Sequence, residues 1–196
     1  KYNLDNNKGA IEDYSKSIEI DPENSDGYYN RGIAKYYLED YYGSLSDCTT
    51  AVELDPENAY YYRCLGESKS SLGQYDSAIK DFSKAIKLDK KSSIYYSLRG
   101  DARVEIKEFF NAIYDYTKAI EIDPTNAYLF ASRGDVKESL KDYKSAIEDC
   151  NKAIEIDPEY EWAYVVRSRS KLFLKDYKGA IKDLDKAIEI DPEYAW

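Results

Sequence analysis

The heptapeptide Lys118–Pro124, KAIEIDP, returns unchanged at Lys152–Pro158 and at Lys186–Pro192, each time 34 residues further on. Looser copies stand at Lys16–Pro22 (KSIEIDP), Thr50–Pro56 (TAVELDP) and Lys84–Lys90 (KAIKLDK), at the same interval. A phrase repeated at a fixed spacing of this size marks an array of stacked units, each too small to bury a core alone. The fold is therefore read from one unit and multiplied.

The unit Ala127–Tyr160 holds two helical stretches, expected over about residues 127–140 and 144–156. In the second, Ala146, Ile147, Cys150, Ala153, Ile154 and Ile156 follow the three-and-four spacing of an amphipathic helix. Asp157-Pro158 ends it, because proline disfavours helical geometry in the residue before it. Asn58 and Asn126 stand at N-cap positions of first helices, and Ser92 is expected to cap where Lys90 replaces proline. Two helices joined by short links pack antiparallel.

Superimposing the units separates packing positions from free ones. Gly32, Gly66, Gly100 and Gly134 form a column in mid-helix, where glycine costs roughly 1 kcal/mol against alanine. Across the turn stand the small residues Ser44, Ala78, Ala112 and Ala146, which implies a close approach of the two helices of a unit; Ser168 and Ala180 replace the pair in the last unit. Ser17, Ala51, Ala85, Ala119, Ala153 and Ala187 form a second small column, suited to the next unit's first helix. Aromatic columns, Tyr28 to Tyr164 and Tyr41 to Tyr177, fill around them and read as core.

Two charged columns are equally regular. Arg31, Arg99, Arg133 and Arg167 lie on first helices, and Asp13, Asp47, Asp81, Asp115, Asp149 and Asp183 on second helices. Each guanidinium fork is expected to pair bidentately with an Asp of its own or, preferentially, the preceding unit. Leu65 replaces the arginine in the third unit, which is expected to lack the bridge.

Composition narrows the function classes. A net charge of −10, with no basic run longer than Lys90-Lys91, argues against a nucleic-acid partner. No apolar stretch approaches the roughly 18 residues of a membrane span, so no membrane insertion is expected. Cys48, Cys64 and Cys150 have no metal-ligand spacing and no histidine to join them; they read as buried free thiols, in keeping with a reducing compartment such as the cytoplasm. With histidine absent and no GxSxG or P-loop, neither an enzyme nor a cofactor or metal site is expected.

The order of aromatic, Gly, aromatic, Ala, aromatic and Ala at Tyr62, Gly66, Tyr75, Ala78, Phe82 and Ala85 resembles the tetratricopeptide repeat, whose unit is a 34-residue helix–turn–helix. Cys48 and Cys150 depart from its usual aromatic, and arginine replaces its usual leucine before the glycine. The resemblance implies an all-α, right-handed superhelical solenoid of antiparallel helix pairs. It divides the chain into a partial repeat at 1–24, full repeats at 25–58, 59–92, 93–126, 127–160 and 161–194, and the start of another at 195–196.

In that family the free face of each first helix lines a concave groove that holds extended peptides or helices of partner proteins. Carried over residue by residue, the groove comprises Tyr29, Ile33 and Tyr36, then Tyr60, Arg63 and Glu67, then Leu98, Asp101 and Glu105. Beyond these it continues with Tyr128 and Asp135, then Trp162, Val165, Arg169 and Phe173. It is apolar and aromatic at both ends and acidic in the middle, which implies an apolar ligand with basic residues. The family's clamp for a chaperone C-terminal carboxylate is missing, since Tyr29, Ile33, Cys64, Ile94 and Leu98 occupy its places. The alternative is a self-assembling fragment. Lys1–Leu4 read as the last turn of a lost first helix before a second helix at about residues 8–20, and Tyr194-Ala195-Trp196 as the start of a further unit. Such ends imply either excision from a longer array or head-to-tail stacking between copies.

Overall fold

The computed structural model describes residues 4–192, and every regular element among them is an α-helix. These are α1 (Leu4–Ile20), α2 (Ser25–Tyr37), α3 (Tyr41–Leu54), α4 (Ala59–Ser71), α5 (Tyr75–Leu88), α6 (Ser93–Glu105), α7 (Phe109–Ile122), α8 (Ala127–Ser139), α9 (Tyr143–Ile156), α10 (Glu161–Phe173) and α11 (Tyr177–Ile190). They form two compact units, Lys1–Ile106 and Lys107–Trp196. Within each, every helix packs on the next in the chain, as short connections dictate. First helices also touch one another, α2 with α4, α4 with α6, and α8 with α10. No pair of second helices within either unit makes comparable contact among the described residues. Each stack therefore curves towards its first helices, whose outer-facing side chains share one surface.

Helix α1 begins at Leu4, so Leu4 opens a second-type helix and does not close a preceding first helix. Lys1–Asn3 and Tyr194-Ala195-Trp196 lie outside the described residues. Asn58 and Asn126 cap as expected, accepting the N–H of Tyr60 and Tyr128 at 3.0 and 3.1 Å. Ser92 occupies the cap position but its hydroxyl makes no capping bond. Second helices carry a cap that the sequence reading missed: Asp40, Asp142 and Asp176 accept the N–H of Gly43, Ser145 and Gly179, three residues on.

Glycine in the first helices makes room for the second. A Cβ at Gly66 would stand 2.6 Å from the Phe82 ring, and one at Gly134 would stand 3.2 Å from both the Ala146 carbonyl and the Cys150 sulfur. The facing Ala78 and Ala146 are fully buried. Ala51, Ala85, Ala119, Ala153 and Ala187 are buried too, and their carbonyls accept the N–H of the Asp that closes each helix.

That Asp makes the turn. Its carboxylate accepts the N–H two residues on in Asp21, Asp55, Asp89, Asp123 and Asp157, at 2.9–3.2 Å. Asp89 does so although Lys90 follows it in place of proline. Proline pre-sets the turn and the Asx bond holds it.

The arginine column pairs within its own unit, against the preference for the preceding one. Arg31 donates from Nε and Nη2 to the two oxygens of Asp47 at 2.8 and 2.7 Å; Arg133 does the same to Asp149, and Arg167 to Asp183. The remaining Nη1 reaches the preceding second helix, at Ser15 from Arg31, Ser83 from Arg99, Thr117 from Arg133 and Asn151 from Arg167. Each of these guanidiniums also lies over the aromatic ring three residues before it, with 5.3–5.8 Å to the centroid. A lysine one turn further along, Lys35, Lys137 or Lys171, joins the same carboxylate at 2.7–2.8 Å. The antiparallel turn explains the correction, because it brings the Asp 16 residues later back beside its Arg.

Leu65 does not leave its Asp without a cation. Lys69 reaches Asp81 at 2.6 Å, and the threonine that an arginine would have met, Thr49, donates back to the Leu45 carbonyl at 2.7 Å. Asp81 nevertheless has its pKa raised, because burial penalises the charge more than Lys69 relieves it. The cysteines also depart from expectation: Cys48 and Cys64 form a disulfide between α3 and α4, with their Cα atoms 5.9 Å apart. Cys150 is a buried free thiol, its pKa pushed up to about 12 chiefly by that burial.

Lys69→Met removes Asp81's cation and should destabilise the protein by about 2–3 kcal/mol, whereas Lys137→Met, which leaves Arg133 on Asp149, should cost about 1 kcal/mol or less. Midpoints of urea unfolding read the difference. The folded protein binds a proton at Asp81 more readily than the unfolded chain, so the Lys69→Met deficit should shrink as pH falls through that raised pKa. In the same assay Asp123→Ala should cost about 1 kcal/mol and Pro124→Ala less, the reverse of what a proline-driven helix stop requires.

Candidate functional site

In the unit Lys1–Ile106 the outward side of α2, α4 and α6 carries nine of the groove residues read from the sequence. Tyr29 and Ile33 are half-buried over the cluster of Cys48, Cys64 and Leu65, and the Tyr29 ring lies 5.2 Å from that of Tyr61. The Tyr61 hydroxyl donates to Asp26 at 2.6 Å, tying α4 to the start of α2. Tyr36 packs against the rings of Tyr37 and Tyr41, and its hydroxyl accepts from Ser71 at 3.0 Å. Tyr60 is 57% exposed. These aromatics divide the labour: Tyr29 and Tyr36 brace neighbouring helices, while Tyr60 presents its ring to solvent.

Deeper along the same surface Arg63 meets Glu67 at 3.2 Å, one helical turn on. Burial raises the Glu67 pKa, and the Arg63 charge only partly offsets it. Leu98 packs on Ala78, Phe82 and Ala102, and Glu105 is exposed at the end of α6. Tyr36, Glu67, Tyr75, Leu98, Asp101 and Glu105, with Ser70, Phe82 and Ala102, enclose a hollow of about 190 Å3. Its lining combines apolar side chains with the acidic residues Glu67, Asp101 and Glu105, and among its described lining residues there is no Lys or Arg. Tyr75 and Phe82 belong to this hollow but not to the groove residues that the sequence assigned, because they lie on a second helix, α5.

The unit Lys107–Trp196 treats the same columns differently. Arg169 pairs with Asp135 and reaches Glu138 at 3.5 Å, and its guanidinium lies 5.3 Å from the centroid of Trp162. Glu138 has its pKa raised by burial, with Arg169 pulling it back. Asp135 and Glu138 are thus met by an arginine of their own unit, as Glu67 is met by Arg63 in the other. Tyr128 is 40% exposed, and Phe173, 61% exposed, stacks on Tyr143 with 4.7 Å between centroids. Val165 does not reach the surface: it is 2% exposed and packed with Tyr164 and Ala187.

Among the described residues no group of His, Cys, Asp and Glu is placed to hold a metal ion, and no helix is long and apolar enough to cross a membrane.

Comparison with solved structures places this arrangement among helical repeat proteins. A crystal structure of MamA superimposes with a TM-score of 0.76 at 26% identity, over 83% of this chain and 95% of that one. MamA from Desulfovibrio magneticus RS-1, from residue 41 to its end, gives 0.79 at 18% identity, over 88% and 97%. YrrB, described as a TPR protein with an unusual peptide-binding site, gives 0.74 at 21% identity, over 92% and 93%. No curated protein matches the chain in sequence. Models of the tetratricopeptide repeat match residues 59–92, 127–160 and 163–194, and a further TPR repeat model matches residues 2–38. Together these matches cover well over half of the sequence, and the chain belongs to the tetratricopeptide repeat family.

Proposed function

We propose that the chain is a protein-interaction scaffold that holds a peptide or helix of a partner protein on the shared face of its first helices. The observation that carries this reading is the side-by-side contact of α2, α4 and α6, which brings Tyr36, Glu67, Leu98, Asp101 and Glu105 around one hollow. Description of the TPR protein YrrB as having a peptide-binding site supports the same class of ligand. The partner is apolar with basic residues: aromatic and aliphatic side chains supply contact area, and the three carboxylates of the hollow favour a cation. A phosphate backbone would meet those carboxylates and a net charge of −10, so nucleic acid is not the partner. The chemistry asked of the surface is recognition and not catalysis.

A second reading, end-to-end contact between copies, draws on α11, where Ile181 and Ile188 are 59% and 52% exposed. Light scattering separates the two readings, since a strict monomer at high concentration removes the second and leaves the first.

An array of peptides varied in apolar and basic content tests the main reading. Basic, apolar members should bind the wild type, and a Tyr60→Ala/Asp101→Asn/Glu105→Gln variant should lose them by at least about tenfold. Equal capture by both proteins contradicts the proposal. Glu67 takes up its proton at higher pH than an exposed glutamate, so lowering the pH from about 7 to about 5 should weaken binding of basic peptides. Glu67→Gln should flatten that dependence.

A further inference from the structure

We infer that the Cys48–Cys64 disulfide is a redox-operated fastener that stands in for a missing arginine tie between two neighbouring repeats, an assignment that does not depend on the groove reading above. The other junctions share one tie. Arg31, Arg99, Arg133 and Arg167 each donate from Nη1 to the second helix of the preceding repeat, at Ser15, Ser83, Thr117 and Asn151, over 2.7–3.1 Å. The junction of α3 with α4 has Leu65 in the arginine column, and its Thr49 turns back to the Leu45 carbonyl. Immediately before these two residues stand Cys48 and Cys64, and they close the junction covalently. Cys150 recurs in the column of Cys48, but the residue facing it in sequence step is Val166, Arg167 is present, and the thiol stays free.

The missing arginine had two tasks, and two different groups perform them. Lys69 serves Asp81 at 2.6 Å, and the disulfide holds α4 to α3. The ion pair is insensitive to redox conditions, whereas the disulfide is reversible. A small dithiol breaks the Cys48–Cys64 bond in two exchange steps: its thiolate attacks one sulfur to form a mixed disulfide, and its second thiol then closes the ring. The reductant leaves as a cyclic disulfide, and two electrons and two protons remain with Cys48 and Cys64 as thiols. The buried Ser44–Ser68 hydrogen bond, at 2.8 Å, and the apolar packing around Leu65 persist, but the junction has lost its covalent tie. Cys48 and Cys64 are 0% and 1% exposed, so a reductant reaches them only in molecules whose junction has opened. Tyr29 and Ile33 rest on the same cluster, and the state of the disulfide is therefore felt on the face that carries them.

Hydrogen exchange of the full chain, read by mass spectrometry before and after dithiol treatment, tests the fastener. Alkylation in denaturant should count one thiol, Cys150, in protein treated with glutathione disulfide, and all three cysteines after reduction. Three thiols in both samples overturn the proposal. Reduction should speed exchange in α3 and α4 by at least about tenfold and leave α8 and α9 within about twofold. Equal exchange of α3 and α4 in the two states overturns the proposal, as does a uniform rise along the chain. Leu65→Arg supplies the tie, with Thr49 and Asp81 already in place, and should cut the effect of reduction to about threefold or less. An undiminished effect in that variant means that the disulfide does not stand in for an arginine. Arg133→Leu, with Lys137 left on Asp149, recreates the third repeat without its cysteines and should speed exchange in α7 and α8 by at least about fivefold in both redox states. Unchanged exchange there removes the tie that the disulfide replaces, and so overturns the proposal whether or not Leu65→Arg folds.

Discussion

The interaction on which the rest of the structure depends is the carboxylate on a second helix that gathers an arginine and a lysine from the first helix of its own unit, as Asp47, Asp149 and Asp183 do. Asp47, Asp149 and Asp183 are almost fully buried, and a buried carboxylate is stable only when its oxygens are filled by good donors. Arg31, Arg133 and Arg167 supply two bonds each, and Lys35, Lys137 and Lys171 a third contact. Because the same guanidinium reaches back to the preceding second helix, one side chain sets both the angle within a unit and the spacing between neighbours. This fixes which face of the first helix is turned inward. The opposite face carries the residues proposed for recognition, several of which, such as Tyr29 and Leu98, also pack against the core.

That division explains the mixed behaviour of the groove aromatics and charges. Tyr29 and Tyr36 belong partly to the frame, through Tyr61 and Tyr41, so removing them would disturb helix placement as well as any ligand contact. Tyr60 and Glu105 stand clearer of it. The charges divide as well: Arg169 occupies the acids of its own unit, and Arg63 partly engages Glu67. The acids that line the hollow of the first unit are Glu67, Asp101 and Glu105.

Much of the fold was legible in the primary structure. The 34-residue period, the two helices of each unit, the Asn58 and Asn126 caps and the small columns at Ala51 to Ala187 all follow from spacing and residue size. What escaped depends on three-dimensional register. Both charged columns were visible, but whether Arg31 meets Asp13 or Asp47 is decided by how the turn brings α3 back, and by Ser15 occupying the place of the alternative. The lysine column was hidden because lysines on a helix usually face solvent; Lys69 emerged as the substitute at Leu65 only once Asp81 was seen beside it. Cys48 and Cys64 lie 16 residues apart with no sequence cue to pair them across two units. The candidate site was legible as a face and not as a pocket, since Tyr75 and Phe82 come from α5, and Val165 carried the right spacing but sinks into the core.

The central claim, that the Arg–Asp pair is the interior support of the units that carry it, is tested most directly by a double-mutant cycle on Arg133 and Asp149, using Arg133→Leu, Asp149→Asn and the two combined. Their side chains are 16% and 8% exposed, so solvent screening is limited. The account predicts a coupling free energy of about 1.5–3 kcal/mol, the range for hydrogen bonds to charged groups. A coupling below about 0.5 kcal/mol, as for an exposed ion pair, would contradict it.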